Sequence, residues 1–241
     1  MFLNFKKSAL IQKSYSLVAL SFFVLFSLSV SPAIFAMMKS GATSSSSSSS
    51  LADEYKELHS EIRCENEKNP MDYCVLKPFQ EEHEKAYCDL FNYPPTESVY
   101  MRYYTDGKPV DREKAKTTFA FRLNRMKQPK PEGLHYMIYD SNGKVAGQIS
   151  IGAFPSKNPE VAYIVFKDFC RRGFATNSLK KVVELVKKYY PEVVSIKADS
   201  HPDNEGSIRV LEKAGFTSKY VEVKTEKGPR YEFVYDLKSS D

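Results

Sequence analysis

The chain has 241 residues, 27% charged and 42% hydrophobic, enough for one real core in its C-terminal part. The net charge is +5, but Lys6, Lys7 and Lys13 lie near the N-terminus; without them about +2 remains, spread as lysines alternating with acids, which excludes a general nucleic-acid binder. His59, His83, His135 and His201 fall at no metal-ligand spacing, so no metal is expected.

The three lysines precede an uncharged stretch from Ser14 to Met38, and no acidic residue occurs before Asp53. An apolar heart runs from Leu17 to Val30, followed by Pro32 and Ala33-Ile34-Phe35-Ala36. This is the layout of a secretory signal peptide over 1–36, cleaved after Ala36. Uncleaved, the run is an N-terminal membrane anchor, although a short one. With lysines on its N-terminal side, either version puts the folded part outside the cytoplasm, exported or anchored. Initiation at Met37 or Met38 gives a cytoplasmic chain instead. Residues 37–70 read as a linker. Ser44 to Ser50 form a flexible tether. Ser50 with Asp53 reads as a capping box opening a short helix. Its apolar residues Leu51, Tyr55, Leu58 and Ile62 are spaced to pack on the rest of the chain or on a partner.

Further along, Leu134–Asp140 and Val145–Ile151 flank Asn142-Gly143, the pattern of a β-hairpin. Val161–Phe166 is a β-branched and aromatic run, read as a buried strand. From Leu179 the spacing turns helical, with Leu179, Val182, Val183 and Val186 on one face. Val193–Ala198 is another strand. Asn204 then suits an N-cap, Lys213 the last turn, and Gly215 the residue just past a helix.

Two segments carry chemistry. In Phe169-Cys170-Arg171-Arg172-Gly173-Phe174-Ala175-Thr176, Gly173 stands where a strand must turn into a helix. Glycine there permits positive φ and close approach to a ligand. The first N–H groups of a helix lack internal partners and carry the positive end of its dipole, a natural pyrophosphate site. Arg171 and Arg172 add charge and donors. Taken alone, the segment is equally an ordinary turn with two solvated arginines. The second segment, Asn204-x-x-Ser207-x-x-x-Leu211-x-Lys213-x-Gly215-Phe216, is taken alone a capped amphipathic helix.

In this order the two segments resemble the acetyl-CoA motifs of the GNAT N-acetyltransferases, and specifically the branch that acetylates ribosomal-protein N-termini. The resemblance runs from Asp72 to Leu237, within a domain of 71–239. It implies an α/β (α+β) fold: a mixed, mostly antiparallel sheet of six or seven strands, flanked by helices and splayed between the fourth and fifth strands, with acetyl-CoA in the gap. Val75–His83 would be the first strand leading into the first helix, and Asp111–Met126 the helix before the central sheet. Phe216–Val223 and Tyr231–Leu237 would be the last strands, joined by a turn at Lys227-Gly228-Pro229.

The resemblance also implies roles. Backbone groups near Val165 and Lys167 would pair with the pantetheine arm. N–H groups of Arg171, Arg172, Gly173, Phe174, Ala175 and Thr176 would hold the pyrophosphate. Asn204 would contact the pantetheine or order the backbone beside it. Ser207 would protonate the leaving thiolate, unless its hydroxyl bonds back to the preceding turn. Glu160 would take the amine's proton, with Glu222 and Glu226 as rivals. Two departures stand out: Cys170 where Gln or Arg is usual, and Arg171 where Gly is frequent. They leave room for a non-catalytic binding protein of the same fold. The implied activity is acetyl transfer from acetyl-CoA to a primary amine, a protein or peptide N-terminus first, a small amine such as an antibiotic or polyamine second. The segment from Tyr103 to Asp111 is where acceptor choice is expected. Cys64, Cys74, Cys88 and Cys170 allow three complete pairings, with Cys64 to Cys74 or Cys88 the easiest to form.

Overall fold

The computed structural model describes Leu51, 53–91, Tyr103, 110–225 and 228–238, without the side chains of 219–228. The leader at 1–36, the serine tract, most of the Tyr103–Asp111 segment, the side chain of Glu222 and all of Glu226 lie outside the described residues. In chain order the strands are β1 (Ile62–Cys64), β2 (Cys74–Pro78), β3 (Gly133–Asp140), β4 (Val145–Gly152), β5 (Glu160–Val165), β6 (Ser195–Ser200), β7 (Thr217–Thr225) and β8 (Gly228–Asp236). The helices are α1 (Glu84–Phe91), α2 (Arg112–Met126), α3 (Phe174–Tyr189) and α4 (Glu205–Lys213). The strands form one sheet in the order β1-β2-β3-β4-β5-β6-β8-β7. Every neighbouring pair is antiparallel except β5 and β6, which run parallel and share the single register pair Glu160↔Lys197.

Strand alternation sorts side chains into two apolar layers. Leu134, Tyr136 and Ile138 of β3 pack with Leu179, Val182, Val183 and Val186 of α3. Met137 of β3 faces the other way, onto Phe79, Tyr87 of α1 and Phe119 of α2. The helical spacing read from Leu179 onward therefore matches the buried face of α3. Each such side chain, once fully buried, stabilises the fold by about 1.5–3 kcal/mol. Asp111 caps α2, its Oδ1 accepting from the N–H of Lys114 at 3.0 Å.

Three details differ from the sequence reading. The helix expected from Leu51 to Ile62 is a helical turn followed by a 3₁₀ turn at Lys56–His59; Ser60 is extended, and Ile62 belongs to β1. Tyr55 and Leu58 do bury, and the hydroxyl of Tyr136 donates to the carbonyl of Leu58 at 2.9 Å. β1 raises the sheet from the expected six or seven strands to eight. Its three residues were invisible as a strand because two buried positions around exposed Arg63 also fit the end of a helical stripe. Secondly, Gly228 and Pro229 are already in β8, so the turn expected to include them does not lie there. Thirdly, the Asn142-Gly143 hairpin has a longer loop than a two-residue turn. Gly143 takes φ +77°, and Asp140 Oδ1 accepts from the N–H groups of Asn142 and Lys144.

Cys64 and Cys74 face each other across β1 and β2, and among the described residues no two cysteines are joined as a disulfide. Among the described residues no helix is long and apolar enough to cross a membrane.

Candidate active site

Beyond Glu160↔Lys197 the ends of β5 and β6 diverge, and the edge of Val161–Val165 faces a cleft of about 1160 Å³. The cleft is larger than a typical small-ligand pocket of roughly 300–1,000 Å³, so it can hold a long ligand and a second substrate. Its walls come from β5, the start of α3, the end of β6 and the first turns of α4.

The phosphate-type cradle forms at the start of α3. Gly173 is the N-cap residue and is left-handed, with φ +83°. The first helical N–H to bond back is that of Asn177, to the Gly173 carbonyl at 2.9 Å, so those of Phe174, Ala175 and Thr176 precede the ladder. No acidic side chain occupies this first turn. A Cβ on Gly173 would stand 3.3 Å from Asn177 Nδ2 and 3.4 Å from Asn66 Nδ2. Asn66 Nδ2 donates to the carbonyl of Arg172 at 3.1 Å, whereas Asn177 Nδ2 is buried without a hydrogen-bond partner among the described residues. Donors that converge on one glycine, one of them unused, fit a pyrophosphate.

The two arginines have separate jobs. Arg171 is exposed, lines the cleft and takes φ +65°. A left-handed conformation costs a non-glycine residue roughly 1–2 kcal/mol, which is why glycine is the easier residue here. Arg172 lines the same cleft but commits its guanidinium elsewhere: it pairs with Asp72, lies 3.9 Å from Asp140 Oδ2, and sits 4.6 Å over the ring of Phe174. The hydrogen bonds to Asp72 push its pKa above the ordinary arginine value. Of the two, Arg172 ties the loop to the chain ahead of β2, and Arg171 is the more exposed in the cleft.

At the far end, Asn204 caps α4, its Oδ1 accepting from the N–H of Ser207 at 3.2 Å. This is the N-cap expected from its place before the helix. Ser207 Oγ does not turn back on its own helix; it lies 2.9 Å from the phenol oxygen of Tyr163, which also donates to the Ser207 carbonyl at 3.2 Å. Burial pushes the Tyr163 phenol up, against the opposing pull of its bond to Ser207. The phenol thus stays protonated and serves as a hydrogen-bond donor.

Val165, Arg171, Arg172, Gly173, Phe174, Ala175, Thr176, Asn204 and Ser207 all line this cleft. Lys167 and Glu160 are not among its lining residues. Lys167 opens a 3₁₀ turn in which its carbonyl accepts from Cys170, so the extended edge ends before it. Glu160 sits where β5 and β6 are still joined, and strand alternation points it away from the face that carries Tyr163. Cys170 places its sulfur 3.4 Å from the carbonyl of Phe166.

Sequence reasoning missed Asn66, Tyr163, Asn177 and Arg230. Only Tyr163 carried a signal, as the polar tip in an otherwise apolar strand. Tyr103, Asp199, His201 and Arg230 also line the cleft. The rings of Tyr103 and His201 stack with centroids 4.9 Å apart. Arg230 Nε lies 3.2 Å from Asp199 Oδ2, and Arg230 Nη2 donates to the Tyr103 carbonyl at 2.7 Å. Among the described residues no cluster of His, Cys, Asp and Glu could hold a metal ion.

Comparison with known proteins agrees with this geometry. The family model of the acetyltransferase (GNAT) domain matches residues 74–217, more than half of the chain. Among solved structures, RimL, a ribosomal L7/L12 alpha-N-protein acetyltransferase in complex with coenzyme A, superposes with a TM-score of 0.55 at 16% identity, covering 68% of this chain and 93% of that one. RimJ of Mycobacterium smegmatis, in complex with CoA-disulfide, gives 0.54 at 15% identity, with 76% and 90% covered. A chimera of the Vibrio cholerae spermidine N-acetyltransferase SpeG and hSSAT gives 0.54 at 11% identity, with 69% and 96% covered. At these identities the likeness is one of fold. No curated protein sequence matches this chain.

Proposed function

Because this chain belongs to the GNAT family of acetyl-CoA-dependent acetyltransferases, we propose that it acetylates the N-terminal amine of a protein or peptide. The observation that carries this reading is the hydroxyl pair Tyr163–Ser207 in a cleft whose other end is the donor cradle at Gly173. Acetyl-CoA supplies the activated acetyl group. The N–H groups of Phe174 to Thr176, with Arg171 and the Asn177 amide, hold the diphosphate, and the β5 edge up to Val165 aligns the arm that follows. Tyr163 has one phenolic proton and two acceptors within reach on Ser207. When it donates to Oγ, the Ser207 hydroxyl proton is freed for the departing thiolate, and the proton lost by the acylated amine passes through water to restore Ser207. The acceptor amine must be neutral to react, and His201 and Asp199 line the wall it approaches.

A polyamine acceptor calls for an acidic pocket. Here a buried guanidinium, Arg230, stands in the acceptor wall, which favours a peptide. The test is an acceptor panel with acetyl-CoA: short peptides with free N-termini, spermidine and an aminoglycoside, read by mass spectrometry. Acetylated peptides support the reading; acetylation of the small amines alone would refute it.

We also propose that residues 1–36 direct export, the reading the leader supports. Since acetyl-CoA is an intracellular cosubstrate, an exported enzyme would act inside a host cell or an organelle. Activity confined to the producer's own cytoplasm would sink this idea; activity in host cytosol would support it.

A further inference from the structure

We infer that Arg230 is the specificity group of the acceptor site, its Nη1 donating to the carbonyl oxygen that follows the reacting amine in a peptide. The inference rests on the peptide-acceptor reading above. Arg230 sits near the start of β8, and its side chain is only 5% exposed although it lines the cleft. Two of its three nitrogens are engaged: Nε with Asp199 at 3.2 Å and Nη2 with the Tyr103 carbonyl at 2.7 Å. Nη1 is buried without a hydrogen-bond partner among the described residues. A buried guanidinium N–H left unpaired is costly, and a partner brought by the substrate removes that cost at the moment of binding.

The chemistry of the partner follows from the neighbours. Asp199, half exposed beside the guanidinium, already balances its charge and would repel a second carboxylate. A neutral carbonyl oxygen is the acceptor that meets no such repulsion. The same Asp199 attracts an ammonium group, so the pair presents a cation-seeking and a carbonyl-seeking group side by side. A peptide N-terminus carries both groups two bonds apart. A polyamine carries only the first, and leaves Nη1 unpaired. Discrimination by an unsatisfied buried donor is the strong kind, because the wrong substrate leaves the site's own polar group without a partner.

The experiment compares a peptide substrate with its (E)-alkene isostere, in which the first peptide bond keeps its shape but loses the carbonyl. Wild-type enzyme should favour the peptide by about tenfold or more in kcat/KM, the value of a hydrogen bond to a charged donor. Arg230→Met should bring the two substrates close to parity by raising the KM of the peptide, not that of acetyl-CoA. Arg230→Lys, which keeps charge and a donor, should retain part of the preference and serves if the Met variant is unfolded by circular dichroism. Equal use of both substrates by wild type, or an undiminished preference in the variants, would overturn this inference while leaving peptide acetylation intact. Turnover of spermidine with no turnover of either peptide, or no turnover of any amine, would overturn both.

Discussion

Replacing Gly173 by Ala separates the cofactor cradle from backbone strain, because the molecule contains its own control. Gly173 and Gly143 have nearly the same left-handed backbone, φ +83° and +77°. An alanine at either position should cost roughly 1–2 kcal/mol. For a domain of this size each kcal/mol lowers Tm by about 2–4 °C, so both variants should melt about 2–8 °C below wild type. Their surroundings differ. A Cβ at Gly143 meets nothing within 4 Å, whereas one at Gly173 crowds the amides of Asn177 and Asn66 at 3.3 and 3.4 Å. It also fills the place where a diphosphate must come close to the backbone. Losing a charge-assisted contact there is worth about 1.5–3 kcal/mol, or roughly 10- to 150-fold in Kd. Calorimetric titration with coenzyme A, alongside thermal unfolding, reads both effects. Gly143→Ala should bind as wild type and Gly173→Ala should bind at least about tenfold more weakly. Equal binding by both variants would refute the placement of the diphosphate.

Other consequences can be checked in the same way. Tyr163→Phe should lower kcat by about three- to tenfold with little change in the KM of acetyl-CoA, and should add little to Ser207→Ala, because the two hydroxyls act as a pair; additive losses would show that Tyr163 acts elsewhere. Arg172→Met should destabilise by about 1–3 kcal/mol by removing the partner of part-buried Asp72 and the cation beside buried Asp140, whereas Arg171→Met should weaken coenzyme A binding and leave Tm near wild type; the reverse pattern in melting and titration would contradict the assignment. Acid sensitivity should track His135. Burial, reinforced by Arg122 and Arg125, holds its pKa well below the ordinary value, so the folded protein leaves it neutral where the unfolded chain takes up a proton. Stability should therefore fall as pH drops below about 6.5, by up to about 1.4 kcal/mol per pH unit, and His135→Gln should flatten that limb in urea titrations; an unchanged slope would remove His135 as its source.

Half of the sheet, β3 to β6, and the helices α3 and α4 were legible because their signals are local, while β2, β7 and β8 came from the family resemblance. Strand-like runs around Asn142-Gly143 mark β3 and β4, and a β-branched and aromatic run marks β5; a four-residue apolar stripe marks α3; an Asn start and a Gly stop mark α4. What the sequence hid depends on partners distant along the chain. β1 is three residues long and is a strand only because β2 lies beside it. Arg172 and Arg171 are adjacent and chemically identical, and only Asp72, a hundred residues earlier, decides that one is structural. Tyr163 and Ser207 are 44 residues apart and meet because β5 and β6 splay. Arg230, which lines the cleft, is bonded to Tyr103, 127 residues away. Glu160 matched the family pattern along the chain, yet it is not among the residues that line the cleft, which position along the chain does not reveal.

The claim that the β5–β6 cleft takes acetyl-CoA and passes its acetyl group to an amine is tested most directly by titrating acetyl-CoA into the purified protein and then following thiol release with a peptide acceptor. We predict one site per chain, micromolar binding, and peptide-dependent thiol release that Ser207→Ala slows without weakening binding. Folded protein that takes up no acetyl-CoA would contradict the account; binding without thiol release for any amine would leave a cofactor-binding protein rather than an enzyme.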